Sequence, residues 1–279
     1  MVLATGHSAR DTYVRLQQLG VRMEAKPFAV GVRAEHPQTL IDRIQYGSEA
    51  GRLGAAEYSL THQVADSHMG RRGVYSFCMC PGGLVVPSPT ETGMLAINGM
   101  SNAKRSAVNA NSGVVVQITP EDIVRHGIAA DALCGVALQR ELEAKAFSMT
   151  HSPYSAPAMR LTDYLQRKAS GTLAHSSYKP GIEAVDLWEL FPAWLAEPLA
   201  EGIESFGMKM RGYVTGEANL LGVESRTSSP VRILRGESIE CEGIAGLYPV
   251  GEGAGYAGGI VSAAVDGLKA AAAILCRGS

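Results

Sequence analysis

Gly246-Leu-Tyr-Pro-Val-Gly-Glu-Gly-Ala-Gly-Tyr-Ala-Gly-Gly-Ile260 runs straight into Val261-Ser-Ala-Ala-Val-Asp-Gly-Leu-Lys-Ala-Ala-Ala-Ala-Ile-Leu275. The order is a short buried strand, a glycine turn and a helix of small residues. Glycine has no Cβ, so it accepts positive φ and lets the backbone come close to another group. The first turn of a helix carries unpaired N–H groups and the positive end of the helix dipole. A strand–turn–helix junction of this kind is a natural place for negative charge.

Inside the stretch, Gly253-Ala-Gly-Tyr-Ala-Gly258 matches G-x-G-x-x-G, the dinucleotide fingerprint. That fingerprint needs a second strand ending in an acidic residue about 20 positions further on. Val261 to Ser279 read as a helix with no such strand. The match is therefore not a first Rossmann turn. As the closing segment of a flavin domain it makes sense, since the helix start suits a phosphate or the flavin edge that becomes negative on reduction.

Gly246 to Ile260 resembles the closing motif of the two-dinucleotide-fold flavoproteins, where a strand ends in Gly-Asp or Gly-Glu and the acid holds the flavin ribityl chain. Its wording is most similar to the FAD-dependent dehydrogenases, or NAD(P)/FAD-dependent oxidoreductases. Lys26 to Arg33, Glu35-His-Pro-Gln38, Tyr75 to Gly83, Asn98-Gly-Met100, Asn109 to Ser112 and Glu224-Ser-Arg-Thr227 resemble the same branch, so the likeness covers nearly the whole chain. It implies FAD as cofactor, hydride or electron transfer to a small-molecule substrate, and NAD(P)H as a candidate donor. It places Thr5 and Gly6 along the cofactor and Glu252 on the ribityl hydroxyls. Gly251, Gly253, Ala254 and Gly255 would give the backbone room, and the N–H groups of Gly258, Gly259 and Ile260 would face the pyrimidine edge. In such proteins Ala-Thr-Gly is a mid-chain turn, whereas here Ala4-Thr5-Gly6 follows almost directly on Met1. The pyrophosphate-binding glycine turn would then lie upstream. The expectation is a fragment of a longer flavoprotein or a truncated gene model; a family pattern cut down is the remaining alternative.

Composition agrees with a folded soluble chain. Of 279 residues, 46% are hydrophobic and 19% charged, enough for a sizeable core. A net charge of −2 gives no electrostatic footprint for nucleic acid, which weighs against the rival reading of an RNA-modifying flavoprotein. Five cysteines and no secretory leader point to a reducing cytoplasm. No apolar run approaches the roughly 20 residues of a membrane span. The alanine-rich 261–275, interrupted by Asp266 and Lys269, reads as a packed soluble helix. Oligomeric state is not legible.

Along the chain, Met1 to Gly6 reads as a strand and turn, and His7 to Leu19 as a helix with Ser8 as N-cap, Asp11 completing an imperfect capping box and Gly20 ending it. Phe28 to Glu35 reads as a strand and Thr39 to Gly47 as a short helical turn. Short strands follow at 57–61, 73–78, 83–86, 93–98 and 113–118, separated by Pro81-Gly-Gly83, Pro87 to Gly93 and Asn109 to Gly113 as turns. They suggest an antiparallel sheet or partial barrel. From Thr119-Pro-Glu-Asp122 the pattern is helical, with helices over 131–149 and 157–168, a polar linker over 170–180 and a further helical stretch from Asp186.

Three residues are candidates for chemistry. Cys78 and Cys80 flank Met79; such a pair can form a reducible disulfide and relay electrons, while the plain reading is a strand end with both thiols on one buried face. No partner set stands at zinc spacing, so no metal is expected. Arg226 shares an extended face with Glu224 and would orient an anion or stabilise reduced flavin, against the plain alternative of a surface ion pair. His36 reads most simply as a strand-end residue bonded to backbone. No side chain stands out as general acid or base.

The resulting expectation is an α/β chain, α+β overall: a partial Rossmann-like FAD domain formed by both ends, with an inserted mixed β-sheet and helical domain. The boundaries are 1–26 for the first flavin part, 27–215 for the insertion (β-rich 27–118, helical 119–215) and 216–279 for the return. The insertion would roof the flavin and shape a substrate pocket. The rival from another class is a truncated, non-catalytic fragment that does not hold FAD alone.

Overall fold

The computed structural model describes residues 1–67 and 70–277, an α+β protein built on one large mixed sheet and several two-stranded ones. Its strands are β1 (Val2–Leu3), β2 (Met23–Ala25), β3 (Phe28–Pro37), β4 (Thr61–Asp66), β5 (Gly70–Cys80), β6 (Gly83–Pro87), β7 (Ile97–Ser101), β8 (Asn109–Ile118), β9 (Ala156–Arg160), β10 (Ile182–Ala184), β11 (Asn219–Glu224), β12 (Val231–Ile233) and β13 (Tyr248–Pro249). Its α-helices are α1 (Arg10–Gln18), α2 (Gln38–Tyr46), α3 (Pro120–Arg125), α4 (Cys134–Ser148), α5 (Leu161–Leu165), α6 (Leu187–Leu190), α7 (Ala193–Lys209) and α8 (Ile260–Arg277). The chain divides into two compact units. One comprises Met1–Phe28, Ile118–Arg140 and Arg226–Ser279; the other comprises Ala29–Gln117 and Glu141–Ser225.

In the first unit β1 runs parallel to β13, and β2 pairs antiparallel with β12. Tyr13 and Leu16 of α1 pack with Val21, Val136, Val231, Ile233, Leu247 and Ala254 in one apolar cluster. Burying each large aliphatic or aromatic side chain of this kind is worth about 1.5–3 kcal/mol. Gly20, at φ +74°, ends α1 in the left-handed conformation that glycine adopts without strain. Thr119 caps α3 through the Asp122 N–H while the Asp122 carboxylate accepts from Thr119 N at 2.9 Å, a full capping box.

The second unit holds a seven-stranded sheet in the order β10-β9-β11-β3-β8-β5-β4. β4 and β5, β5 and β8, and β11 with both β3 and β9 pair antiparallel, whereas β10 and β9 run parallel. β3 sits mid-sheet and is buried on both faces along nearly its whole length, a continuous buried run. Gly31 admits the neighbouring strand so closely that any Cβ would collide with the Val114 carbonyl. The long α7 packs against β4 and β5, with Gly202 seated on Val74.

Several local expectations change. Ser8 does not cap α1: the helix begins after Ala9 with no side-chain cap bond, and Asp11 completes no capping box. Residues 57–60 precede β4 rather than forming a strand, and the strand expected at 93–98 is displaced to Ile97–Ser101. Asn109 to Gly113 is the first half of β8, not a turn: all five residues are buried, with Ser112 Oγ bonded to the Tyr58 hydroxyl at 2.7 Å and Asn111 Oδ1 accepting from Arg33 Nη1 at 2.8 Å. Ala156–Arg160 is a buried strand where a helix was expected, and only Leu161–Leu165 is helical. Residues 118–140, read as the start of the helical insertion, group with the two chain ends. The helix over 261–275 exists, but it is packed along one side only: Asp266 and Ala270 are buried, while Val261, Val265, Leu268 and Leu275 are exposed.

Candidate functional site

The two glycine turns of the first unit meet. β1 leads into Thr5-Gly6 and β13 into Gly251-Glu252-Gly253, with Val250 N donating to Leu3 O at 3.0 Å just before the turns. Gly6 and Gly251 have φ of +76° and +77°, so both chains turn in the left-handed region. A Cβ on Gly253 would lie 2.5 Å from the Gly6 carbonyl oxygen, and one on Gly255 would lie 2.6 Å from the Val231 carbonyl oxygen. These two glycines are required by the packing of the protein against itself. Ala254, between them, is buried in the apolar cluster. The Cβ directions of Gly253 and Gly255 and the side chain of Ala254 are thus taken up by internal packing.

The ends of the run are different. A Cβ on Gly258 would meet nothing within 4 Å, and Ile260 is 91% exposed. The Gly258 N–H donates to Ser262 Oγ at 3.2 Å, and α8 then runs for 18 residues with its N-terminus at this open surface. Tyr256, Ile260, Val261, Val265, Asp266 and Lys269 line an open, mainly apolar groove beside it. The Glu252 carboxylate is half-buried, 3.5 Å from His7 Nδ1.

Side chains absent from the sequence-based expectation hold the turn. The buried Tyr13 hydroxyl donates to Gly253 O at 2.7 Å and lies 3.1 Å from Ser229 Oγ; burial pushes its pKa up. Arg235 grips Asp266 through both carboxylate oxygens, at 2.5 and 3.0 Å, and donates to Pro249 O at 2.7 Å. Asp266 Oδ2 accepts the Gly251 N–H at 2.7 Å. Burial would raise the Asp266 pKa, but the bonds from Arg235 and Gly251 prevail and hold it below the usual carboxylate value. The Arg235 guanidinium lies 3.7 Å from the centre of the Tyr256 ring. Lys26 is held below the usual lysine value by burial and then by Arg232, with Glu252 opposing. The carboxylate in Asp266 and the arginines at 232 and 235 were legible as residues, but their convergence on the turn joins positions that periodicity does not connect.

The remaining candidates lie elsewhere. Arg226 is buried and holds interactions of its own, so it is no surface ion-pair residue; nor is Glu224, which is 1% exposed. Glu224 Oε2 accepts from Arg33 Nε at 2.6 Å, with both side chains fully buried. Burial raises the Glu224 carboxyl and Arg33 opposes that rise; burial also works against the Arg33 charge, but Glu224 prevails and keeps it protonated. Cys78 and Cys80 stand over this pair. Arg33 Nη1 donates to Cys78 O at 3.3 Å and to Asn111 Oδ1 at 2.8 Å, and Nη2 to Asn98 Oδ1 at 3.2 Å. The plain reading of two thiols on a buried strand face fails for Cys78, which is exposed at φ +45°, while Cys80 is buried. His36 Nε2 bonds the Tyr213 carbonyl at 2.9 Å, the backbone role expected of it.

Two paired strands ending in glycine turns ahead of a long helix form a place where backbone N–H groups can meet an anion or a group that becomes negative. A family model described as FAD-dependent protein, C-terminal domain-like, matches residues 27–227, and the chain belongs to that family. The match includes the Arg33 cluster and Arg226; the closing glycine segment lies outside it. The chain is also similar to an uncharacterized protein of Clostridium beijerinckii, 47% identical over 279 residues, which cover 99% of this chain and 51% of the relative. The chain therefore spans about half the length of the curated relative it matches. Among the described residues, no helix is long and apolar enough to cross a membrane.

Proposed function

We propose that the chain is the C-terminal, flavin-contacting half of an FAD-dependent oxidoreductase acting on a small molecule, with NAD(P)H as the electron donor. The observation that carries this reading is the splitting of the glycine run: 253–255 are consumed by internal packing, whereas Glu252 and the 258–260 segment at the start of α8 are left open. The residues fit the cofactor. A Cβ-free, unfilled surface at Gly258, a half-buried carboxylate at Glu252 and an apolar groove ending in a helix N-terminus match a polyhydroxyl chain joined to a flat ring. The flavin itself would supply hydride or electron transfer.

In this reading Glu252 accepts hydrogen bonds from the ribityl hydroxyls, and Thr5 and Gly6 line the same turn. Gly251 is positioned by Asp266 and Arg235. The N–H groups of Gly259 and Ile260, with the dipole of α8, favour negative charge on the ring. Both chain ends then belong to a Rossmann-like flavin domain. A second reading, in which the chain alone does not retain FAD, is favoured by the twofold length of the relative. Titration of FAD into the purified chain separates them: saturable binding weakened about ten- to a hundredfold by Glu252→Ala supports the first, and no binding by a folded chain supports the second.

A further inference from the structure

Cys78 and Cys80 are not needed for the flavin reading, yet their surroundings are unusual for structural cysteines. β5 and β8 lose register between Phe77 and Cys80, a bulge that puts one extra residue on β5. Cys78 occupies this bulge with φ +45°, in the left-handed region where a non-glycine residue costs energy. Nothing about an exposed position there calls for a thiol on packing grounds; Asn or Gly would be the easier occupant. The Cys80 thiol turns back on its neighbour and donates to the Cys78 carbonyl oxygen at 3.3 Å. Beneath them Arg33 Nη1 lies 3.9 Å from Cys80 Sγ. The guanidinium cannot swing away, because Glu224, Asn98 and Asn111 hold it. Gly99 leaves room for it, since a Cβ there would press on the guanidinium carbon at 2.8 Å.

We propose that Cys78 and Cys80 form a redox-active dithiol, with exposed Cys78 attacking a low-molecular-weight disulfide and buried Cys80 resolving it. In the first step the Cys78 thiolate attacks one sulfur of the disulfide. A mixed disulfide forms, the original S–S bond breaks, and one thiolate leaves and takes a proton from water. In the second step the Cys80 sulfur attacks Cys78 and expels the second thiolate, which takes up the Cys80 proton. The two cysteines are oxidised by two electrons and the small disulfide is reduced to two thiols.

Exposure assigns the order, since Cys78 is open to solvent and Cys80 is buried, and the electrostatics act in the same direction. The hydrogen bond from Cys80 lowers the Cys78 pKa; burial opposes this, Arg33 adds to it and the Glu224 charge subtracts, leaving Cys78 at about 6. Cys80, as the donor, is pushed up. The nucleophile is thus the thiol that solvent reaches, and the proton waits on the thiol that does not.

The test uses the whole reduced chain, treated with oxidised glutathione, alkylated and digested with trypsin. The peptide from Gly73 to Lys104 carries both cysteines and no other, and it is expected about 2 Da light, without alkylation. At pH 6.5 Cys78 is expected to alkylate roughly sixfold faster than a small model thiol, a large thiolate fraction being offset by lower intrinsic nucleophilicity. Cys80→Ser should trap glutathione on Cys78, and Cys78→Ser should leave Cys80 unmodified. Recovery of the 73–104 peptide with two alkylated thiols after treatment of the folded wild-type chain would overturn the proposal. An alkylation rate at Cys78 equal to that of the model thiol would overturn it as well. Both wild-type readouts stand if either variant fails to fold.

Discussion

At the scale of single residues, the second unit has spent burial on charge. Arg33 and Glu224 form an ion pair with almost no exposure, and such pairs are costly to break because the survivor is left charged and dry. Glu224→Leu is predicted to lower stability by about 3–5 kcal/mol in urea unfolding, and adding Arg33→Met should restore much of the loss. A single-variant cost under about 1 kcal/mol would contradict the pairing. His36 makes a pH prediction. Burial pulls its pKa down to about 4, with the bond to Tyr213 O opposing, so the unfolded chain binds the proton more readily than the folded one. Stability therefore falls as pH drops from the unfolded value near 6.5 toward 4, by about 1 kcal/mol between pH 7.5 and 5.5. His36→Gln should flatten this part of the curve; an unchanged slope would refute the assignment. Little of this was visible beforehand. Glu224 was singled out for its neighbour Arg226, but its partner at position 33 is 191 residues away, and nothing in one sequence joins them.

At the scale of elements, the glycine run yields a contrast. Gly253→Ala would drive a methyl into the Gly6 backbone, and overpacking of this sort costs about 1–3 kcal/mol. Gly258→Ala faces open space and is expected to leave the melting temperature nearly unchanged while weakening FAD. Equal melting of the two variants would mean that the turns do not meet as described. The strand–turn–helix order was legible because a hydrophobic strand, clustered glycines and a small-residue helix each leave a local signature. Which glycines face the protein was not, since that depends on the Thr5-Gly6 turn at the other end of the chain. The misread segments have the same origin. Asn109 to Gly113 has the composition of a turn, but Asn111 and Ser112 bond Arg33 and Tyr58 from within β8. The signals at Ala156–Arg160 were helical by neighbourhood, and pairing with β10 and β11 decided otherwise.

At the scale of the molecule, the α+β character followed from strand signals and turn spacing, whereas the sheet expected to be antiparallel or a partial barrel is mixed, because β9 and β10 run parallel. The partition of the chain did not. The capping box at Thr119 announces a helix, but it does not say which core that helix joins, and residues 118–140 group with the chain ends. The family match over 27–227 covers the sheet-bearing part, while the closing glycine segment carries the flavin argument. Because the relative is about twice as long, activity is a property to be sought in a protein of that length, and cofactor contact is what this chain can reveal by itself. The most direct measurement is a titration of FAD into the purified 279-residue chain, wild type and Glu252→Ala, followed by visible spectra after desalting. The account predicts saturable binding with flavin bands that survive desalting, and an affinity about ten- to a hundredfold weaker in the variant, the worth of a charged hydrogen bond. A folded chain that shows no flavin bands, or two proteins that bind alike, would contradict it.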